Sequence, residues 1–270
     1  MGNKLSQAQR IIQSGQNCDL DLDEKEINNK ELAKLSELLK DNNTCYALHL
    51  KANKFDEVGL EALADALQTN RFLKRLYLNN NRIGDVGCQH LANAIKRVTA
   101  LGMIDLSMSN IGAAGAKALG VAFTLNNSIH TIYLTDNSIG KEGCKLLAEG
   151  LKENKKLKVL DVSRNDIGNE GAEGLAEMLK VNTVLEQLYL VKNGISATGS
   201  IALAESLVVN KGLRSLNLDF NPIGDEGATP FMKVLRENDK IEKIEFDDKS
   251  ISEDWKNEFR MRLQRKQEVR

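Results

Sequence analysis

Apolar and polar positions alternate along this chain with a fixed long beat. The stretch Leu73 to Asn81, LKRLYLNNN, has leucine at its first, fourth and sixth positions and asparagine at its ninth. The pattern recurs in steps of 28 residues, for example in LEQLYLVKN ending at Asn193 and LRSLNLDFN ending at Asn221. Six asparagines mark the frame: Asn53, Asn81, Asn137, Asn165, Asn193 and Asn221. One beat falls on Ser109, where the asparagine has slipped to Asn110, and the last falls on Lys249. An apolar residue follows each beat by two positions and a glycine by six, from Gly59 to Gly227. A strict period of this size is the signature of a stacked repeat, in which one unit cannot bury its own apolar face.

The spacing predicts two elements per unit. The L-x-L step has period 2 and reads as a short strand with its leucines inward. Further on, Leu63, Leu91, Leu119, Leu147, Leu175, Leu203 and Phe231 share one column, and an apolar residue follows each by four, which is helical spacing. The asparagine turns the chain out of the strand, its amide donating to and accepting from backbone groups. The glycine is expected where a side chain would clash with the next unit. Strands stack ~4.8 Å apart while helices pack no closer than ~8–10 Å, so each unit should turn by about 20°. The predicted fold class is therefore α/β: a horseshoe solenoid of about nine strands, with the parallel sheet on the concave face and helices on the convex face.

The ends depart from the beat. Residues 1–16 are expected to form a short N-terminal cap with Leu5, Ile11 and Ile12 along one helix. The solenoid is assigned to residues 17–250. Its first unit is degenerate, with Lys25 at the asparagine position. Residues 251–270 are read as a capping helix, with Trp255, Phe259 and Leu263 on one side.

These columns resemble the ribonuclease-inhibitor-like leucine-rich repeat, the type found in nucleotide-binding innate immune receptors and in the GTPase-activating proteins of Ran. The resemblance spans about residues 17–250. It implies the horseshoe and a protein partner without naming one.

Composition narrows the function further. The chain has 37 basic and 38 acidic residues, so no global charge points to nucleic acid, and no nucleic-acid partner is expected. No apolar run approaches a membrane span and no signal peptide is visible. The four cysteines lack metal or disulfide spacing; Cys88 and Cys144 share a small-residue column with Ala116, Ala172 and Ala228. A cytoplasmic monomer is expected. The start MGNKLS fits the N-myristoylation pattern at Gly2, and membrane tethering is expected only if Gly2 is acylated. The histidines His49, His90 and His130 fall in three different columns, and no hydrolase, zinc or phosphate-loop motif is present. No catalytic residue, cofactor or metal is expected.

Binding is the better-supported class. The residue between the two strand leucines should face the hollow. That column includes Tyr77, Asp105, Tyr133, Asp161, Tyr189 and Asn217, and so holds three of the four tyrosines. Flanking positions add Arg75, Met103, Met108, Asp136, Arg164, Val191, Lys192 and Phe220. Aromatic residues and arginine most often carry interface energy. Acidic residues gather at both ends of the hollow: Asp19, Asp21, Asp23 and Glu24 at one, Asp219, Glu245, Asp247 and Asp248 at the other. A partner with basic flanks and an apolar middle is expected. The leading expectation is a non-enzymatic protein-binding scaffold. The alternatives are a regulator of an enzyme (an inhibitor, or a GTPase activator of the Ran type) and a pathogen effector or effector antagonist.

Overall fold

The computed structural model describes residues 3–247 and 249–268. Gly2 and Asp248 lie outside the described residues. Strands and helices alternate: α1 (Asn3–Gln13), β1 (Cys18–Asp21), α2 (Asn29–Leu39), β2 (Cys45–His49), α3 (Glu57–Thr69), β3 (Arg75–Tyr77), α4 (Gly84–Ile95), β4 (Met103–Asp105), α5 (Ala113–Phe123) and β5 (Thr131–Tyr133). They continue with α6 (Gly140–Leu151), β6 (Val159–Asp161), α7 (Gly168–Val181), β7 (Gln187–Tyr189), α8 (Ala197–Val209), β8 (Ser215–Asn217), α9 (Gly224–Ala228), α10 (Phe231–Glu237), β9 (Lys243–Glu245) and α11 (Glu253–Glu268). The strands form one parallel sheet in sequence order, β1 to β9. Equivalent residues of successive units pair across it: Leu76 opposes Leu48 on one side and Ile104 on the other. Between β1 and β2 the register slips by one residue, so Cys18 faces Cys45 but Asp19 faces Ala47.

One core runs the length of the stack. Leu76, Leu78, Leu91 and Ile95 are fully buried, as are their equivalents Ile104, Leu106, Leu119 and Phe123 in the next unit. The asparagine column forms a hydrogen-bonded ladder through this core. Asn137 donates from Nδ2 to the carbonyls of Leu106 and Leu134, both at 2.9 Å, and its Oδ1 accepts from the N–H groups of Ser109 and Ile111. Each amide thus ties its own turn to the preceding unit. A second ladder, whose purpose the sequence did not disclose, runs behind the helices. Asn126, Asn154, Asn182, Asn210 and Asn238 are buried. Each reaches back 31 residues to a helix C-terminal carbonyl, as Asn154 does to Phe123 at 2.7 Å, and accepts from its own chain two and three residues on. These bonds satisfy the carbonyls that a helix end leaves without partners.

Ser109 interrupts the first ladder. It is fully buried, and its hydroxyl reaches the Ser107 carbonyl at 3.1 Å. By the pattern of its siblings, an amide at 109 would reach the carbonyls of Leu78 and Leu106. Ser109→Asn is therefore expected to stabilise the protein by about 1 kcal/mol, raising the urea midpoint. An unchanged or lower midpoint would show that this slot has adapted to serine.

The glycine column needs a correction. A Cβ on Gly143 would come within 2.7 Å of the Cα of Ala113, which belongs to the preceding unit and not the next. Each helix start is seated on the one before it. Closer still is a contact between α5 and α6, where a Cβ on Gly150 would land on the Gly120 carbonyl. The last unit also departs from expectation: its single predicted helix is split into α9 and α10 around Pro230. Proline has no N–H to continue the ladder, and its ring crowds the preceding turn.

Both terminal helices cover the core. Ala8 and Ile12 of α1 are buried against it. At the other end, Phe246 packs edge-on against Phe231, Trp255 and Phe259, with centroids 5.0 to 5.5 Å apart, and Trp255 stacks on Phe259 at 5.0 Å. All four cysteines are buried free thiols. Burial, with Cys18 beside it, pushes the Cys45 thiol up to about 12, and burial alone does the same for Cys144. Such thiols are not reactive nucleophiles near neutral pH.

Candidate interaction surface

Most residues expected to face a partner fall into two rows with different geometry. The first row is on the sheet itself. Arg75, Tyr77, Met103, Asp105, Tyr133, Asp161, Tyr189 and Asn217 lie on β3 to β8 and are half-buried. Strand pairing brings Tyr77, Asp105, Tyr133, Asp161 and Tyr189 into one line across five strands, each opposite the next. Tyrosine and aspartate therefore alternate along the floor of the hollow.

Their surroundings differ. Tyr77 has one face covered by His49, stacked at 4.2 Å. Tyr189 donates from its hydroxyl to Gln187 at 2.9 Å. Burial, followed by Tyr189 and the carboxylates of Asp105 and Asp161, raises the pKa of Tyr133. The sign is that of an acid whose anion is disfavoured: removing the carboxylates lowers the pKa. A phenolate absorbance titration, taken as the difference from Tyr133→Phe, should place Tyr133 above an ordinary tyrosine. Asp105→Asn with Asp161→Asn should bring it down, and no movement would mean that the carboxylates do not face the ring.

The second row is a rim just beyond the strands. Asp136, Arg164, Lys192 and Phe220 are exposed, and each has a left-handed backbone, with φ between 53° and 58°. Met108 occupies the equivalent place, with φ 54° and 51% exposure, and belongs with them. The conformation has a cause. It aims each N–H at the next unit, as Arg164 donates to the Val191 carbonyl at 2.8 Å and Phe220 to Asp247 at 3.0 Å. Glycine or asparagine takes this region with least strain, and other residues lose roughly 1 kcal/mol or more. Phe220 is nevertheless 59% exposed there. A bulky exposed side chain in this conformation contributes nothing visible to the fold.

Several charges expected to be presented to a partner are already engaged within the protein. Arg75 pairs with Asp19 at 3.3 Å and lies over the Tyr46 ring at 5.4 Å. Asp19 also meets His49 at 2.7 Å. Asp23 accepts from the Lys51 N–H, and Asp219 from the Asp247 N–H. Glu245 meets Lys243 at 2.8 Å and Asn217 at 3.0 Å. One acid at each end, Asp19 and Glu245, is thus held in an ion pair within the protein. Among the described residues no group of three or more side chains could hold a metal ion, and no helix is long and apolar enough to cross a membrane.

The family described as Leucine Rich repeat matches residues 69–92, 125–148, 153–176, 181–204 and 209–232. The chain has the fold of a leucine-rich-repeat solenoid. No curated protein matches its sequence. Among solved structures, the leucine-rich-repeat fold is shared with leiomodin-1 actin-binding site 2, at 19% identity and a TM-score of 0.52, over 58% of this chain and 90% of that one. The tropomodulin C-terminal domain of Caenorhabditis elegans matches at 17% identity and a TM-score of 0.41, over 66% and 92% of the two chains. At this identity the leiomodin-1 likeness carries the fold and not the partner.

Proposed function

We propose that this leucine-rich-repeat protein is a non-catalytic scaffold that binds another protein across the concave face of its sheet. The observation that carries the reading is the row Tyr77, Tyr133 and Tyr189, standing in register and half-exposed on a sheet face that no helix covers among the described residues. The exposed Met108 and Phe220 on the adjoining rim support it, since large exposed apolar groups clustered around aromatic rings mark contact surfaces. The 28-residue period with convex helices further supports the ribonuclease-inhibitor-like type of repeat. Residues 1–16 and 251–270 are read as caps that shield the two ends of the stack. The test is loss of partner capture when the three tyrosines are replaced by alanine, with a convex-face variant as the control.

A further inference from the structure

The alternation of tyrosine and aspartate on the floor of the hollow goes beyond a generic contact surface. Asp105 lies between Tyr77 and Tyr133, and Asp161 between Tyr133 and Tyr189. A tyrosine reaches farther from the sheet than an aspartate. Each aspartate is therefore the acidic floor of a notch walled by two rings.

The fold needs these residues only in part. The Oδ1 of Asp105 accepts from the Ser107 N–H at 2.9 Å, and that of Asp161 from the Ser163 N–H at 2.8 Å. Asn217, in the same column, makes the same bond to Asp219 at 2.8 Å without a charge. The turn thus requires an oxygen and not an anion. Among the described residues no ion pair reaches Asp105 or Asp161, although every other charge on the strand faces of β3 to β9 has one: Arg75 with Asp19, and Lys243 with Glu245. The rim cations Arg164 and Lys192 form no ion pair with either aspartate. Two carboxylates, each fixed through one oxygen, are left in the centre of the face.

We propose that the two notches receive arginine side chains of the partner protein, one over Asp105 and one over Asp161. The inference rests on the concave-face reading above and names the chemistry of its partner. Rings two strands apart are about 10 Å from one another, so a group midway lies ~5 Å from both, within the ~6 Å over which a ring attracts a cation. A planar guanidinium can stack against the rings while its N–H groups meet the carboxylate below; an ammonium offers only a point charge. The two notches are also about 10 Å apart. An extended polyproline-type segment repeats its side-chain direction every ~9.3 Å, so arginines three residues apart would fill both. Arginines two residues apart, at ~6.8 Å in a strand, would not.

The test uses the intact chain and three fluorescent proline-rich peptides: one with two arginines three residues apart, one with the arginines two apart, and one with lysines three apart. Binding is followed by anisotropy up to millimolar concentration. The first peptide should bind tightest, and lysine should weaken it. Asp105→Asn with Asp161→Asn should weaken the first peptide about tenfold or more, while the melting curve stays unchanged. Failure of that peptide to bind, or binding indifferent to the two asparagine changes, overturns the proposal. A native partner that is lost with the tyrosines but kept with the asparagines overturns the arginine chemistry and leaves the concave-face reading standing. A partner kept in both variants removes the concave-face reading itself.

Discussion

Asn165→Ala is expected to lower stability by about 3 kcal/mol, read as a fall in the urea midpoint. Asn165 is fully buried, and its Nδ2 donates to the carbonyls of Leu134, Val162 and Ser163 at 2.8, 3.1 and 2.9 Å. Its Oδ1 accepts from the Ile139 N–H at 3.3 Å. All these partners are backbone groups, so no substitution elsewhere can remove them. Each carbonyl keeps one other donor: Asn137 for Leu134, Asn193 for Val162 and the Asp136 N–H for Ser163. That holds the loss to a few kcal/mol. Asn165→Leu should be no milder, because an apolar side chain of similar size fills the space but still takes the acceptor from the Ile139 N–H and one donor from each carbonyl. Asn53 makes similar bonds near the end of the stack but is only half-buried, so water can replace its amide. Asn53→Ala should cost less than half as much. Equal losses at the two positions would show that burial does not set the strength of the ladder.

The same ladder explains what was legible in the sequence. Leucines, asparagines and glycines repeat because each meets the same set of positions in the neighbouring unit, so a fixed spacing in the chain becomes a fixed contact in space. Strand order, register and the capping aromatics could be read for that reason. Contacts that break the repeat could not. The Asp19–His49 pair joins non-equivalent columns and the Asp19–Arg75 pair skips a unit within one column, and nothing in either stretch of sequence marks them. The left-handed rim was hidden too. Its residues share the column just before the asparagine beat, but they are as different as Ala52, Met108, Arg164 and Phe220, so their types did not mark the common backbone and outgoing N–H bond. The direction of the glycine clash was misjudged because a sequence column cannot say which neighbour lies on which side. For the candidate surface, the sequence supplied the tyrosines. It supplied their alternation with Asp105 and Asp161 as well, and strand pairing put that column in register across five strands.

Replacing Tyr77, Tyr133 and Tyr189 by alanine should abolish partner capture, by about a thousandfold or more in affinity, since hot-spot rings contribute roughly 2 kcal/mol or more each. The fold should tolerate the change. The rings are half-buried on the face away from the core, and alternate strands keep them apart, so each should contribute only about 0.5–1 kcal/mol to the sheet. Tyr77 should matter most to stability, because it alone of the three stacks on a neighbour's ring, that of His49. Tyr133 and Tyr189 are then the cleaner pair for separating binding from folding. Changing each to phenylalanine tells ring from hydroxyl: stacking survives the change, whereas a hydrogen bond to the partner does not. The control is on the opposite side, where Val58 and Val209 are 64% and 56% exposed on the helices. Changing both to aspartate should leave capture intact. If the valine variant loses the partner and the tyrosine variant keeps it, the partner binds the helices, and the alternating row on the sheet has no part in recognition.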